Sequence, residues 1–171
     1  MKTLKEYIEE SILDVDDLVT DDTLFIEKWL KENCKIDGSY TIKDGIVNVK
    51  GSVQITKNIK SIDIQFGKVS KDFNCWGCNS LTTLEGSPKE IDGNFSCSHC
   101  YSLTSLEGAP EKVKKNFMCL CCNSLTSLKG APEKVDENFN CSYCPNLTSL
   151  EGAPKEVGGN FDCTGCPKLK K

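Results

Sequence analysis

Ten of the twelve cysteines in this 171-residue chain fall into five CxxC pairs: Cys75/Cys78, Cys97/Cys100, Cys119/Cys122, Cys141/Cys144 and Cys163/Cys166. Two thiols three residues apart are the raw material of a zinc site or a dithiol redox centre, because both sulfurs can reach one metal or each other. Successive pairs read C-x2-C-x18-C-x2-C, which is zinc-ribbon spacing. Against that, five equal pairs divide badly into four-cysteine sites and leave one over. The competing reading is packing, since a free Cys behaves as a small buried hydrophobe. Cys34 and Cys121 stand outside the pattern.

The pairs belong to a longer regularity. Phe73, Phe95, Phe117, Phe139 and Phe161 recur at a step of 22. So do Leu81/Leu84 and their equivalents down to Leu147/Leu150, the glycines 86, 108, 130 and 152, the prolines 88, 110, 132 and 154, and Ile91, Val113, Val135 and Val157. A decayed copy (Ile59, Ile62, Val69) lies one step upstream. A fixed period of this kind signals stacked structural repeats. One unit buries too few side chains, at about 1.5–3 kcal/mol each, to offset about 1–2 kcal/mol of backbone entropy per residue, so neighbours must stack into a solenoid.

The unit Phe-x-Cys-x-x-Cys-x-x-Leu-x-x-Leu resembles a leucine-rich repeat over about two thirds of the chain, with Cys in place of Leu at the second strand position. The string "LTSLEGAP" resembles repeats of phage and prophage proteins. The resemblance implies one strand per coil: Phe95 and Cys97 on it, Cys100 closing the turn, Leu103 and Leu106 on the returning side. Period-two alternation points Phe95 and Cys97 inward and Ser96 and Ser98 outward. "EGAP" supplies a turn, with Pro110 ending the hydrogen-bonded ladder. Stacked coils about 4.8 Å apart also bring equivalent cysteines within disulfide range, so bridges between coils stay open beside reduced thiols and zinc.

Upstream, residues 1–34 form an acidic helical segment, with ten Asp/Glu against four Lys over residues 1–33. Thr3 and Glu6 make a capping box before Leu4, Tyr7, Ile8 and Ile12. Asp22 caps a second helix whose apolar side is Phe25, Ile26, Trp29 and Leu30. Both helices are expected to cover the open end of the solenoid. "MKTLKEYIEES" resembles leaders of internal capsid proteins of large tailed phages, which implies protease cleavage at an Ile8-Glu9-Glu10 triplet. Residues 35–56 are expected to form a capping β-hairpin, with alternation from Tyr40 to Ile55 about Asp44-Gly45. The solenoid occupies 57–171, giving an α+β fold: a short helical cap and a leucine-rich-repeat-like solenoid with 22-residue coils and one strand per coil.

Composition excludes several functions. All 21 basic residues are Lys, the net charge is −4 and His99 is the single histidine, so the bidentate tools for phosphate and base edges are missing and no nucleic-acid partner is expected. Lys2, Lys5, Glu6, Glu9 and Glu10 interrupt any signal-peptide core. No membrane association is expected, and the location is cytoplasmic or virion-internal. No catalytic triad or dyad is specified by spacing, and the glycines match no phosphate loop. Asp14, Asp16, Asp17, Asp21 and Asp22 lack the glycine and terminal Glu of a calcium loop. No enzyme activity and no cofactor are expected.

What varies between repeats is the more informative part. At outward positions stand Trp76, His99, Met118, Leu120 and Tyr143, large residues that form a patch on the expected concave face. This marks a partner-binding site and a non-catalytic protein-binding module, phage-encoded, acting against a host defence protein. The alternative is a zinc or thiol-redox protein using the ten paired cysteines. The fifth unit lacks a returning segment after Leu169, so self-association through this C-terminal edge is expected.

Overall fold

The structure is a computed structural model that describes residues 21–170. The helix expected around Leu4 to Ile12, its capping box and the Ile8-Glu9-Glu10 triplet lie outside those residues. Helix α1 (Asp21–Asn33) carries Asp21 and Asp22 in its first turn and Lys31 in its last, the signs that complement the helix dipole. Ile26, Trp29 and Leu30 are buried at i, i+3 and i+4, one stripe of the helix. Phe25 departs from expectation: it is 51% exposed, being about 100° around the helix from Ile26.

The chain then forms an antiparallel hairpin, β1 (Cys34–Lys43) with β2 (Ile46–Ile55). Asp44 and Gly45 close it with φ of 51° and 74°, the two positive values that a type I′ turn requires. The hairpin starts at Cys34, one residue before the expected 35–56 segment. Gly38 and Gly51 pair directly across it with φ of 129° and 149°. A Cβ on Gly51 would sit 1.7 Å from the Asp37 carbonyl oxygen, so no other residue fits there.

Beyond the hairpin the chain winds as a parallel β-solenoid. Its strands are β3 (Gln65–Val69), β4 (Phe73–Asn74), β5 (Glu90–Ile91), β6 (Phe95–Ser96), β7 (Lys112–Val113), β8 (Phe117–Met118), β9 (Lys134–Val135), β10 (Phe139–Asn140), β11 (Glu156–Val157) and β12 (Phe161–Asp162). They form two ladders. The even-numbered strands β4 to β12 make the first and the odd-numbered β3 to β11 the second. Every step pairs residues 22 apart, such as Phe95 with Phe117 and Val113 with Val135. The long strand β2 starts both ladders, pairing Val47 with Phe66 of β3 and Val53 with Phe73 of β4.

Two strands per coil correct the expectation of one. Pro110 does not end the hydrogen-bonding, because the Glu111 amide already donates to the Lys89 carbonyl one coil back. Proline's fixed φ is compatible with extended chain, so the ladder resumes at once. Between the ladders the turns are those the motif implies. The amides of Ser87, Ala109, Ala131 and Ala153 return to the carbonyls of Leu84, Leu106, Leu128 and Leu150, with Gly108 at φ 85° and its Cα against the backbone of Glu85.

The core is a stack of like residues. Phe73, Phe95, Phe117 and Phe139 are fully buried, and from Phe73 to Phe161 the rings stack with centroids 5.0 to 5.9 Å apart. Phe66 meets Phe73 edge-on, and Trp29 of α1 meets Phe66 at 6.5 Å, so this helix covers the first end of the stack. At the other end Phe161 is 37% exposed.

Candidate functional site

The CxxC pairs sit where the first ladder turns out of the sheet. The first Cys of each pair extends the strand, as when the Cys97 amide donates to the Met118 carbonyl. The second turns back into the core and donates its thiol to the carbonyl of the first Cys one coil earlier. Cys100 reaches Cys75 at 3.2 Å, Cys122 reaches Cys97 at 3.2 Å, Cys144 reaches Cys119 at 3.3 Å and Cys166 reaches Cys141 at 3.3 Å. The strand-end carbonyl thus has a partner inside the core, where an orphaned acceptor is costly.

Eight of these ten cysteines are buried, Cys163 and Cys166 of the last coil are half-buried, and all twelve are free. Burial pushes the Cys78 and Cys144 thiols up to about 12 and holds Cys97 and Cys119 well above their ordinary value. Cys75 is raised first by its hydrogen bond with Cys100 and then by burial. Cys34, beside Cys78, is also pushed by burial to about 12. Cys122 is shifted the other way, lowered by its hydrogen bond with Cys97 against the opposing effect of burial. Among the described residues no three His, Cys, Asp or Glu side chains group to hold a metal ion.

A second ladder of side chains, not foreseen from the sequence, runs beside the Phe stack. The Asn94 side chain donates to Asp72 Oδ1 at 2.9 Å, Asn116 to Asn94 at 2.8 Å and Asn138 to Asn116 at 2.7 Å, while each backbone amide donates to the same oxygen. Asp72 starts the run as a pure acceptor. The signal was present as Asn at 94, 116, 138 and 160, one step of 22 apart.

The outward side of the first ladder carries the expected binding residues, and the structure sorts them. Trp76 is 59% and Tyr143 62% exposed, whereas Met118, Leu120 and His99 are half-buried. Ser96 and Ser98, expected outside, are 8% and 2% exposed; the register sets small Ser98 between the larger Trp76 and Leu120 of the flanking coils. Tyr101, not singled out from the sequence, is 41% exposed and lies 6.1 Å from His99, which lies 5.3 Å from Trp76.

The last residue of this outward run has left-handed backbone in every coil. Gly77 and Gly165 adopt it at φ 73° and 69°, and His99, Cys121 and Tyr143 at 60°, 57° and 56°. Glycine adopts this conformation freely, while a side chain there costs about 1 kcal/mol. Three consecutive coils bear that cost to display a side chain. His99 Nδ1 is buried with no hydrogen-bond partner.

The second ladder presents the opposite chemistry. Lys112 pairs with Glu90, Lys134 with Glu156, Lys89 with Glu111 and Lys155 with Glu133, and Glu90, Glu111, Lys112, Glu133 and Lys134 wall a groove of about 700 Å3 over Pro110 and Val113. Along the first ladder's outward positions, 74–77 and their equivalents, Asp162 is the only Asp, Glu or Lys. Among the described residues no helix is long and apolar enough to cross a membrane. Comparison with protein-family models, curated proteins and solved structures finds no match.

Proposed function

We propose that this protein is a non-catalytic, leucine-rich-repeat-like module that binds another protein through the outward face of the first ladder. Trp76 and Tyr143 are the anchors, with His99, Met118 and Leu120 between them. The observation that carries the reading is the left-handed column: His99, Cys121 and Tyr143 occupy positions that glycine fills without strain in the flanking coils. Backbone strain kept at a surface, beside exposed aromatics on an uncharged face, is the mark of a contact surface. Charged residues are depleted at the centre of protein interfaces, and Trp and Tyr are enriched there. On the resemblance of its repeats, the gene is phage-borne, and the partner is a host defence protein met in the cytoplasm.

Eight of the ten paired thiols are buried, and Cys100, Cys122, Cys144 and Cys166 each donate to a backbone carbonyl one coil back, which favours packing over zinc or dithiol chemistry. The test of the binding reading is affinity capture from bacterial lysate by the intact chain and by Trp76→Ala and Tyr143→Ala. A partner retained by the parent, lost by both variants, with unchanged melting, supports it. Identical captured sets would sink it.

A further inference from the structure

The repeat offers each buried thiol three sulfurs to which it could be bonded: the other Cys of its own CxxC, the equivalent Cys one step of 22 away, and the offset Cys 25 residues away. The structure brings the offset pair together. The thiols of Cys75 and Cys100 are hydrogen-bonded to each other, as are those of Cys97 and Cys122. In both pairs the later sulfur also lies 3.2 Å from the carbonyl oxygen of the earlier Cys, which seats it against that residue's backbone. All four side chains are fully buried, so packing on every side holds the contact. Cys144 and Cys166 stand on Cys119 and Cys141 in the same way, at 3.3 Å.

We infer that this column is a set of latent cross-links, in which a small-molecule disulfide converts the contacts Cys75–Cys100 and Cys97–Cys122 into disulfides that lock successive coils together, independently of any protein partner. Cys122 is the attacking sulfur of its pair, because the Cys97 thiol and the backbone amides of Cys100 and His99 point at it and favour its thiolate. That thiolate attacks one sulfur of the oxidant, the S–S bond of the oxidant breaks, and one half leaves as a thiolate that takes the Cys97 proton. The Cys97 sulfur then attacks Cys122 in the mixed disulfide, and the second half departs as the Cys97–Cys122 bond forms. Two protein thiols thus lose two electrons and two protons, and the oxidant is reduced to two small thiols.

Neighbouring coils stand about 4.8 Å apart, inside the Cα separation that a disulfide spans, so the bond asks for side-chain rotation rather than a new path of the backbone. The closed fold shields these sulfurs, and the reaction runs through local opening of a coil. Once formed, the bond opposes that same opening.

The test equilibrates the full chain in excess oxidised glutathione, at a urea concentration just below its unfolding midpoint so that coils open and close, followed by alkylation, digestion and fragmentation mass spectrometry. Expected are peptides joined through Cys75–Cys100 and Cys97–Cys122, a thermal midpoint raised by about 5 °C or more over the reduced chain, and reversal of both by a dithiol reductant. Cys122→Ser should abolish the bridge to Cys97 and keep Cys75–Cys100, while Cys121→Ser should change neither. Should Cys122→Ser fold poorly, the map of the parent chain decides alone. Bridges within a CxxC or between equivalent cysteines overturn the pairing, and a chain that stays fully reduced at equilibrium overturns the cross-link itself.

Discussion

The Cys122 thiol donates to the carbonyl of Cys97, 3.2 Å away and 25 residues earlier. The same relation joins Cys100 to Cys75 and Cys144 to Cys119. Each of the three interior CxxC pairs is therefore half of two such contacts, one forward and one back, and acts as a joint between coils.

This joint makes stability depend on alkaline pH. Cys34, Cys78 and Cys144 are raised from 9.0 to about 12 in the fold. A thiol is neutral when protonated, so a raised folded value means the folded chain holds its proton more tightly. The stabilisation is fully present below about pH 9 and is lost between about 9 and 12, with a slope per thiol below the limit of about 1.4 kcal/mol per pH unit because these sites are partly screened by solvent. Urea midpoints measured from pH 8 to 10 should fall steeply above 9. A flat profile would show that the thiols are not buried as described.

The amide ladder sets a second expectation. Asn116 donates to Asn94 and accepts from both the backbone and the side-chain amide of Asn138, so Asn116→Leu leaves two donors of residue 138 without their acceptor, while Asn94 Oδ1 keeps the residue-116 backbone amide. A loss of about 2–3 kcal/mol is expected, against less than about 0.5 kcal/mol for Asn160→Leu, because Asn160 meets the ladder through its backbone amide, which donates to Asn138 Oδ1 and survives the substitution. Equal losses in thermal or urea unfolding would argue against a continuous ladder.

Strain and binding should separate at Tyr143. Replacement by Gly relieves its left-handed backbone at φ 56° and should stabilise the fold by about 0.5–1 kcal/mol, while weakening partner capture. Tyr143→Ala keeps the strain and should gain nothing. If Tyr143→Gly binds as well as the parent, the strained column is not a contact surface.

Phe161 stacks on Phe139 at 5.2 Å on one side and is 37% exposed, and among the described residues β12 pairs with β10 alone. If the exposed Phe161 and the outer edge of β12 are an association contact, as expected from the sequence, sedimentation equilibrium should show a mass that rises with concentration and falls back with Phe161→Asp. A parent chain that stays monomeric throughout the series removes this contact from consideration.

Repetition made much of the fold legible. A step of 22 in Phe, Cys, Leu, Gly and Val required stacked coils, because no single coil can bury its own apolar face; period-two alternation about Asp44-Gly45 located the hairpin, and residues 26, 29 and 30 the buried stripe of α1. Other properties arose only between coils. That Lys112–Val113 forms part of a second ladder depends on Val113 meeting Ile91 on one side and Val135 on the other in register, and two residues per coil carry too little periodicity to read as a strand. Ser98 is buried because Trp76 and Leu120 flank it one coil away, and the thiols face carbonyls 25 residues back. The role of His99, Cys121 and Tyr143 as a strained column follows from backbone angles that glycine at 77 and 165 only hinted at. Local chemistry specified the repeat, and the stacking of one coil on the next decided which of its side chains were left for a partner.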